Sequence, residues 1–143
     1  MDVADVLSRR SRCCRAQVGA VIVTEDNRAN SLTYNGPARG DKVEGDCSNW
    51  CPRVQNDDHS SDYGTCRSIH AEMNAIARAD WSDVQGATIY VTGSMCINCA
   101  KAVANSGIVR VVHRVSDDRA YRQPEAVEDY LRSVGIDVER STV

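Results

Sequence analysis

Strand-like and helix-like segments alternate along the second half of the chain. Residues 87–92 and 108–114 are apolar runs rich in β-branched side chains, and residues 136–141 have the pattern of a closing strand. Segments with helical periodicity at residues 96–107 and 124–135 separate them, and each ends at a glycine. Strands joined through helices pair in parallel with right-handed crossovers, so this pattern predicts a parallel edge of a sheet.

The first half adds two strands and two helices. A continuous apolar run at residues 17–25 is typical of a buried strand, and residues 29–34 follow after a short turn, which predicts a hairpin. We expect a short helix at residues 2–10 and another at residues 70–80, where alanines recur every four positions. The combined pattern predicts an α/β fold, a three-layer α/β/α arrangement around a central mixed five-stranded sheet.

The length of 143 residues suits a single domain spanning residues 1–143. Residues 37–66 differ from the rest, because they are rich in Gly, Asp, Ser and Asn and show no periodicity. A segment this long without secondary structure is usually functional or disordered. Since Cys47, Cys51 and Cys66 lie in it, we expect an insert that a bound zinc ion holds in place.

Charge and hydropathy narrow the class of partner. The net charge is −3, whereas proteins that hold a nucleic acid polymer usually present a basic face, so we expect no such partner. Arginines clustered between residues 9 and 15 could hold one or two phosphates or could form a solvated helix end. No apolar run approaches the ~20 residues that cross a bilayer, and the N-terminus lacks the apolar core of a signal peptide. We therefore expect a cytoplasmic protein without membrane contact.

The cysteines indicate a metal site. There are seven of them, and cytoplasmic thiols stay reduced, so metal ligation explains them better than disulfides. Cys96 and Cys99 lie three positions apart at the start of a predicted helix, and His70 begins another. Catalytic zinc takes three protein ligands and leaves one position open for water, which one imidazole and two thiolates satisfy. A Cys-x-x-Cys pair alone would fit a structural zinc site or a redox pair equally well.

Glu72 makes the catalytic alternative specific. It lies two positions after His70, too close to be a good fourth ligand but close enough to reach a water molecule in the open position. Zinc lowers the pKa of such a water to about 7. A neighbouring carboxylate can take its proton and pass it to a leaving group, which predicts a hydrolytic zinc enzyme.

Longer motifs carry a family resemblance. QVGAVIV, TYNG, HAEMNAI, GATIYVT, CINCAK and SGIVRVV occur in an order and spacing similar to those of the cytidine and deoxycytidylate deaminase superfamily, over residues 17–112. Asn35, Asn74 and the cysteine-bearing insert are most similar to its deoxycytidylate (dCMP) deaminases, whereas tRNA adenosine deaminases look similar around the zinc but lack the insert. The resemblance implies a cytidine deaminase-like fold. It also implies zinc-dependent hydrolysis of dCMP, or of a 5-modified dCMP, to dUMP and ammonia.

The resemblance implies a catalytic zinc held by His70, Cys96 and Cys99, with Glu72 moving protons. Met95 stands where the family has a proline, and since that proline is not a ligand we expect catalysis to survive. Two other functions remain open at this point. One is a deaminase of tRNA or single-stranded DNA, against which the acidic balance argues. The other is a zinc-stabilised binding protein without activity, against which Glu72 argues.

For the substrate, the resemblance implies contacts from five residues. The Ala71 backbone would touch the pyrimidine edge, and Asn35 would bind the sugar hydroxyl. Arg15 and Arg12 would meet the phosphate. Tyr121 would close over the ligand.

The resemblance also bears on regulation and assembly. The allosteric members of the family that this sequence resembles are activated by dCTP and inhibited by dTTP. Members of the family also form ring-shaped oligomers. Thr33 stands where those allosteric members have glycine, so the sequence leaves open whether these effectors act here. We expect a homo-oligomer, with a hexamer favoured.

Some dCMP deaminases are similar in holding a second, structural zinc. A zinc with four protein ligands could order the insert. His59 is a reserve ligand, and Cys14 would simply pack nearby. The alternative is a set of free buried cysteines. The candidate ligands are Cys13, Cys47, Cys51 and Cys66.

Overall fold

The structure is a computed structural model that describes residues 1–60, 63–115 and 122–142. Its helices are α1 (Asp2–Ser8), α2 (Pro52–Gln55), α3 (Ala71–Arg78), α4 (Trp81–Val84), α5 (Ile97–Ala104) and α6 (Pro124–Ser133). Its strands are β1 (Gly19–Val23), β2 (Ala29–Tyr34), β3 (Gly36–Pro37), β4 (Ser68–Ile69), β5 (Thr88–Val91), β6 (Arg110–His113) and β7 (Asp137–Arg140). Within the described ranges, none of the helices combines the length and the apolar character that crossing a bilayer requires.

Five strands form a mixed sheet in the order β2-β1-β5-β6-β7. β1 pairs antiparallel with β2 and with β5, whereas β5, β6 and β7 pair in parallel. α5 and α6 are the crossover helices that join the parallel strands. The predicted five-stranded mixed sheet, its hairpin and its parallel edge are therefore confirmed.

The main core lies between the sheet and the helices that flank it. β1 buries four consecutive residues, as a strand does when both faces of its sheet are covered. Ile22, Ile89 and Leu131 are among the largest fully buried side chains, and burial of each stabilises the fold by about 1.5–3 kcal/mol. Ala75 of α3 and Ala100 of α5 are also fully buried, and their small side chains let these two contacting helices approach closely.

Gly19 lets α1 pack directly on the sheet. A Cβ atom at this position would lie 1.9 Å from the backbone carbonyl oxygen of Ala4, which is itself buried. The Gly19 N–H donates to the Thr92 hydroxyl at 3.0 Å, so the start of β1 also contacts the segment after β5. Glycine is therefore required here by the close approach of α1.

The segment at residues 37–66 contains more structure than the sequence predicts. α2 begins at Pro52, where proline needs no hydrogen-bond partner, and β3, which ends at the first residue of the segment, pairs with β4 just after it. These elements, like α4, are too short to produce a recognisable periodicity. A second apolar cluster forms in this segment and consists of Cys47, Trp50 and Cys51.

Candidate metal centre and active site

Two helix N-termini carry the predicted metal ligands. His70 immediately precedes α3, Cys96 immediately precedes α5, and Cys99 lies in the first turn of α5. β4 leads directly into His70, and its pairing with β3 fixes the path of the chain into α3. The first N–H groups of a helix have no intrahelical partner, so both helix ends favour thiolates and other anions.

The three ligand atoms converge. Nδ1 of His70 lies 3.3 Å from Sγ of Cys99 and 3.5 Å from Sγ of Cys96, and all three atoms lie within 4.8 Å of one another. Nitrogen and sulfur ligands at about 2.0 and 2.3 Å from a tetrahedral zinc would lie about 3.5 Å apart. The spacing and the donor set therefore fit zinc. Among the described residues, no other group of three or more candidate ligands converges in this way.

The thiols of Cys96 and Cys99 differ in their tendency to ionise. A hydrogen bond with Cys99 lowers the pKa of Cys96 to about 3, against the effect of burial and with the help of His70. The pKa of Cys99 is raised, because its hydrogen bond with Cys96 and its burial both favour the thiol. A divalent cation would remove this opposition, since it stabilises both thiolates at once.

Glu72 lies in the first turn of α3 and is only 2% exposed. Burial raises the pKa of its carboxyl group, and the charge of His70 partly opposes that rise. A carboxyl group whose pKa is shifted toward neutrality can both accept and donate a proton within one reaction cycle. Glu72 and His70 line the same cavity, so the candidate acid–base group lies beside a candidate metal ligand.

This cavity has a volume of about 510 Å³. That volume lies within the range of small-molecule pockets, about 300–1,000 Å³. Apart from two histidines, the side chains in its wall that ordinarily carry a charge at neutral pH are those of Arg15, Arg53, Arg122 and Glu72. Nη2 of Arg15 also lies 3.5 Å from the exposed Asp57 carboxylate, but three guanidinium groups against one carboxylate in the wall still favour an anionic ligand.

Comparison with known proteins places this site in a family. Residues 1–115 match the sequence model of the cytidine and deoxycytidylate deaminase zinc-binding region. The chain belongs to this deaminase family. The matched residues include both helices that carry the metal ligands, and the predicted family resemblance is confirmed.

Two phage enzymes are among the relatives of this deaminase. The chain is 40% identical to the deoxycytidylate deaminase of Mycobacterium phage D29 over 119 residues, which cover 79% of this chain and 89% of that protein. It is 32% identical to the deoxycytidylate deaminase of Enterobacteria phage T4, over 96% of this chain and 86% of that protein.

Solved structures of deaminases share the fold. The dCMP deaminase from the cyanophage S-TIM5, in complex with dCMP and dUMP, matches with a TM-score of 0.71 at 23% identity, over 98% of this chain and 92% of that chain. A structure of a tRNA:A34 deaminase matches with a TM-score of 0.61 at 22% identity, over 99% of this chain and 95% of that chain. At these identities the likeness is one of fold, and it confirms the predicted cytidine deaminase-like architecture.

Asn35 and Ala71 of this deaminase, two of the predicted substrate contacts, line the cavity. The Asn35 amide accepts a hydrogen bond from the Val18 N–H and donates one to the Ala16 carbonyl, each at 2.8 Å. One N–H and one lone pair of that amide remain for a ligand. The Ala71 N–H belongs to the first residue of α3 and has no intrahelical partner.

The predicted phosphate contacts separate in the structure. Arg15 lines the cavity and donates a hydrogen bond to the carbonyl oxygen of Arg53 at 3.3 Å. Arg12 is not brought to this cavity: it donates to the Val43 carbonyl at 3.1 Å and lines a second cavity of about 460 Å³. Tyr121 lies outside the described residues.

Three polar or aromatic residues of the cavity wall were not predicted from the sequence: Tyr63, Arg122 and Arg53. The Tyr63 ring packs edge-on against the His70 ring, with 4.8 Å between centroids. Nε of Arg122 donates to the Tyr63 hydroxyl at 3.0 Å. Arg122 also lowers the pKa of Glu72 slightly, which puts its charge near the metal ligands. All three residues come from segments without periodicity, so no sequence pattern pointed to them.

Both departures from the family pattern are buried. Met95, which replaces a proline, is fully enclosed in the main core ahead of Cys96. The Thr33 hydroxyl donates to the Ala71 carbonyl oxygen at 2.9 Å. Thr33 therefore joins β2 to the start of α3, next to His70.

The other cysteines lie together around the second apolar cluster. Sγ of Cys51 is 4.0 Å from Sγ of Cys66, close to the separation of about 3.8 Å between two sulfurs on a tetrahedral zinc. Sγ of Cys14 is 3.1 Å from Sγ of Cys47, closer than such a pair. Burial, and to a smaller extent the neighbouring Cys51 and Cys13 thiols, raise the pKa of Cys66. Cys13 therefore lies near Cys66 and packs against the cluster.

Proposed function

We propose that this family member is a zinc-dependent deoxycytidylate deaminase, which hydrolyses dCMP to dUMP and ammonia. The convergence of His70, Cys96 and Cys99 next to the buried Glu72 carboxylate carries the proposal. The D29 and T4 phage relatives, both named deoxycytidylate deaminases, support the choice of substrate.

The chemistry divides between the metal and the residues around it. When bound, zinc supplies an activated water nucleophile near neutral pH. Glu72 accepts the two protons of the attacking water in turn and delivers one to the cytosine ring nitrogen and one to the departing amino group, which leaves as ammonia. Burial, which raises the pKa of Glu72, suits both transfers and limits access of bulk water to the carboxylate.

Three residues of the cavity wall orient the substrate in this proposal. The unpaired N–H of Ala71 donates to the pyrimidine edge, beside the metal ligand His70. The remaining amide capacity of Asn35 holds the sugar hydroxyl. Arg15 supplies positive charge for the phosphate.

A substrate panel tests this function. Zinc-loaded protein is incubated with dCMP, 5-methyl-dCMP, 5-hydroxymethyl-dCMP, CMP and deoxycytidine, and loss of cytosine absorbance and release of ammonia are followed. We expect the highest kcat/KM for dCMP or one of its 5-modified forms, with ammonia and the uracil product formed in equal amounts. If no cytosine nucleotide or nucleoside is turned over, or if single-stranded DNA or tRNA is deaminated faster, the proposal is wrong.

We further propose that residues 1–143 form one deaminase domain whose insert, residues 37–66, is held by a structural zinc. The four sulfurs do not converge as the His70 group does, but the separation of Cys51 and Cys66 and the position of Cys13 near both Cys66 and Cys47 support this site. His59 is less suited as a ligand, because its Nε2 lies 2.8 Å from the Asp57 carboxylate. Elemental analysis should find about two zinc ions per chain, and a count of about one would contradict the second site.

The second cavity is our proposed site for dCTP and dTTP. Four arginines line it, and guanidinium groups form strong hydrogen bonds with the phosphates of a nucleoside triphosphate. Thr33 also lines it and hydrogen-bonds to Ala71, so a ligand here would contact a residue bonded to the active-site helix. Adding dCTP should raise the rate at low dCMP concentration, and adding dTTP should lower it. The arginines are Arg10, Arg12, Arg39 and Arg78.

We also propose a homo-oligomer, with a hexamer favoured by the family resemblance. β2 is an edge strand of the sheet, and its Leu32 and Tyr34 side chains are exposed. An edge strand with exposed apolar side chains favours pairing with another chain. Light scattering coupled to size-exclusion chromatography should give the mass of six chains, and the mass of one chain would contradict the proposal.

Every proposed metal ligand except His70 is a cysteine, and a cysteine can bind zinc only when its thiol is reduced. The cytoplasm keeps thiols reduced, and we therefore propose that the protein works there. Localisation of a fluorescent fusion in the host cell tests this, and export to an oxidising compartment would contradict it.

A further inference from the structure

Arg53, on α2 of the insert, is a buried cation. Only 8% of the residue is exposed, although arginine is almost never buried without a partner. Its Nη2 donates to the Ser60 carbonyl oxygen, whereas its Nε has no hydrogen-bond partner. Among the ion pairs of the described residues, none involves Arg53. The charge of Arg53 helps to lower the pKa of Asp58, but no carboxylate of the described residues lies within ion-pair distance of the guanidinium.

Burial of an unpaired charge is costly, and the cost falls when an opposite charge is brought within hydrogen-bond distance. The planar guanidinium presents several N–H donors in a fork that matches the oxygens of a phosphate. Because Arg53 lines the large cavity, a ligand there can supply the missing anion.

The position of Arg53 suits the end of the ligand far from the reacting atoms. Its guanidinium carbon lies 4.3 Å from the centre of the Tyr63 ring, and that ring packs against His70. One aromatic ring therefore separates the guanidinium from the metal ligand. Arg15 approaches from the same direction, since its Nη2 donates to the Arg53 carbonyl oxygen.

Arg122 occupies a different place on the cavity wall. It donates to the Ser94 carbonyl oxygen, in the segment that leads to the metal ligand Cys96. Its charge also acts on both His70 and Glu72. Arg122 therefore lies at the end of the cavity near the candidate metal ligands. Arg53 and Arg15 lie at the other end, where they can bind the phosphate.

We propose that Arg53 binds the 5′-phosphate of the substrate and makes this site favour nucleotides over nucleosides. This inference rests on the proposed function, which it deepens. The proposal also gives the insert a role. Cys51 immediately precedes α2, so the second apolar cluster fixes the position of the helix that carries Arg53. A structural zinc bound by the cysteines of the insert would then affect which class of substrate binds, and not the chemical step.

Binding of the product tests the assignment without turnover. Affinities of the zinc-loaded full chain for dUMP and for deoxyuridine are measured by calorimetry for the wild type, Arg53→Gln and Arg53→Lys. Arg28→Gln is the matched control, since Arg28 is an exposed arginine in the β1–β2 turn. We expect Arg53→Gln to weaken dUMP binding roughly 10- to 100-fold, as loss of charge-assisted hydrogen bonds does. Deoxyuridine binding should stay within about twofold, and KM for dCMP should rise more than kcat falls.

Arg53→Lys keeps the charge but loses the fork, so it should weaken dUMP binding less than Arg53→Gln does. It remains informative if Arg53→Gln fails to fold. The assignment is overturned if Arg53→Gln or, failing that, Arg53→Lys binds dUMP as well as the control does. It is also overturned if dUMP and deoxyuridine weaken by the same factor, or if the wild type binds no dUMP. A wild type that binds dUMP through Arg53 but does not deaminate dCMP would instead overturn the proposed function alone.

Discussion

Nδ1 of His70 lies 3.3 Å from Sγ of Cys99, although 29 positions separate the two residues in the chain. Each residue is fixed by the start of a helix, His70 by α3 and Cys99 by α5. These two helices pack against each other through small buried residues, so their N-termini meet. The same turn of α3 that presents His70 also presents Glu72, which places the acid–base group beside the metal ligands.

Replacement of Glu72 by glutamine should separate catalysis from metal binding. Glu72→Gln keeps the shape of the side chain but cannot exchange a proton, so kcat for dCMP should fall by about 100- to 10,000-fold. Zinc content and dUMP affinity should stay at wild-type values. Stopped assays with ammonia detection measure the rate, and Glu25→Gln is an exposed control. Near-normal kcat for Glu72→Gln would mean that another group moves the protons.

Cys13 and Cys14 are adjacent in sequence and form a matched pair of variants. Cys13 packs among the insert cysteines, whereas Cys14 is exposed and its Sγ contacts Cys47. We expect Cys13→Ser to lose about one zinc per chain and to lower the melting temperature. Cys14→Ser should keep both zinc ions. If the zinc is lost from Cys14→Ser instead, Cys14 is the ligand and the assignment of Cys13 is wrong.

A buried pair between β6 and α6 should make the fold sensitive to acid. His113 is fully buried, and its Nε2 lies 3.0 Å from the Glu128 carboxylate. Burial lowers the pKa of His113 despite this contact. The pKa of Glu128 is also lowered, because hydrogen bonds from Arg140 and His113 outweigh the effect of burial.

The lowered pKa values of His113 and Glu128 both make the folded protein less stable as the pH falls. The contribution of His113 is complete above its unfolded pKa of 6.5 and is lost as the pH falls below it, since the unfolded chain binds the proton more tightly. The contribution of Glu128 is complete above 4.5 and is lost as the pH falls through its lower folded pKa. The free energy of unfolding, measured with denaturant, should therefore decrease from pH 7 to pH 5. His113→Asn should flatten that dependence, and an unchanged slope would contradict the role of His113.

The contact between α1 and β1 predicts a large difference between two glycine variants. Gly19→Ala would place a Cβ 1.9 Å from the Ala4 carbonyl oxygen, so α1 must shift, at a cost of about 1–3 kcal/mol. Gly40→Ala meets no atom within 4 Å and should change stability little. Thermal unfolding of the two variants measures the difference. Equal stability would mean that α1 is not packed on the sheet as described.

The sequence predicts the main sheet well because strands and helices alternate with clear periodicity. The predicted bounds of β2 agree with the structure, whereas the predicted strands at residues 17–25 and 108–114 are longer than β1 and β6. The reason is that an apolar residue such as Ile108 is buried without belonging to the paired strand. Apolar character therefore reports burial, and the bounds of a strand depend on its pairing.

The candidate metal ligands could be predicted because each motif lies at one helix start. Cys96 and Cys99 are local in sequence, and His70 is local to Glu72. Arg53 could not be predicted, because it reaches the cavity through an irregular segment whose path depends on contacts between distant cysteines. The burial of Arg53, and the absence of a hydrogen-bond partner for its Nε among the described residues, can only be seen in three dimensions.

A crystal structure of the zinc-loaded protein with dUMP, with anomalous data collected at the zinc edge, tests the central claim most directly. The account predicts an anomalous peak bonded to Nδ1 of His70 and to Sγ of Cys96 and Cys99, with the fourth position filled by water or by the ligand. A fourth bond to a protein side chain, or no zinc between these three residues, would contradict it.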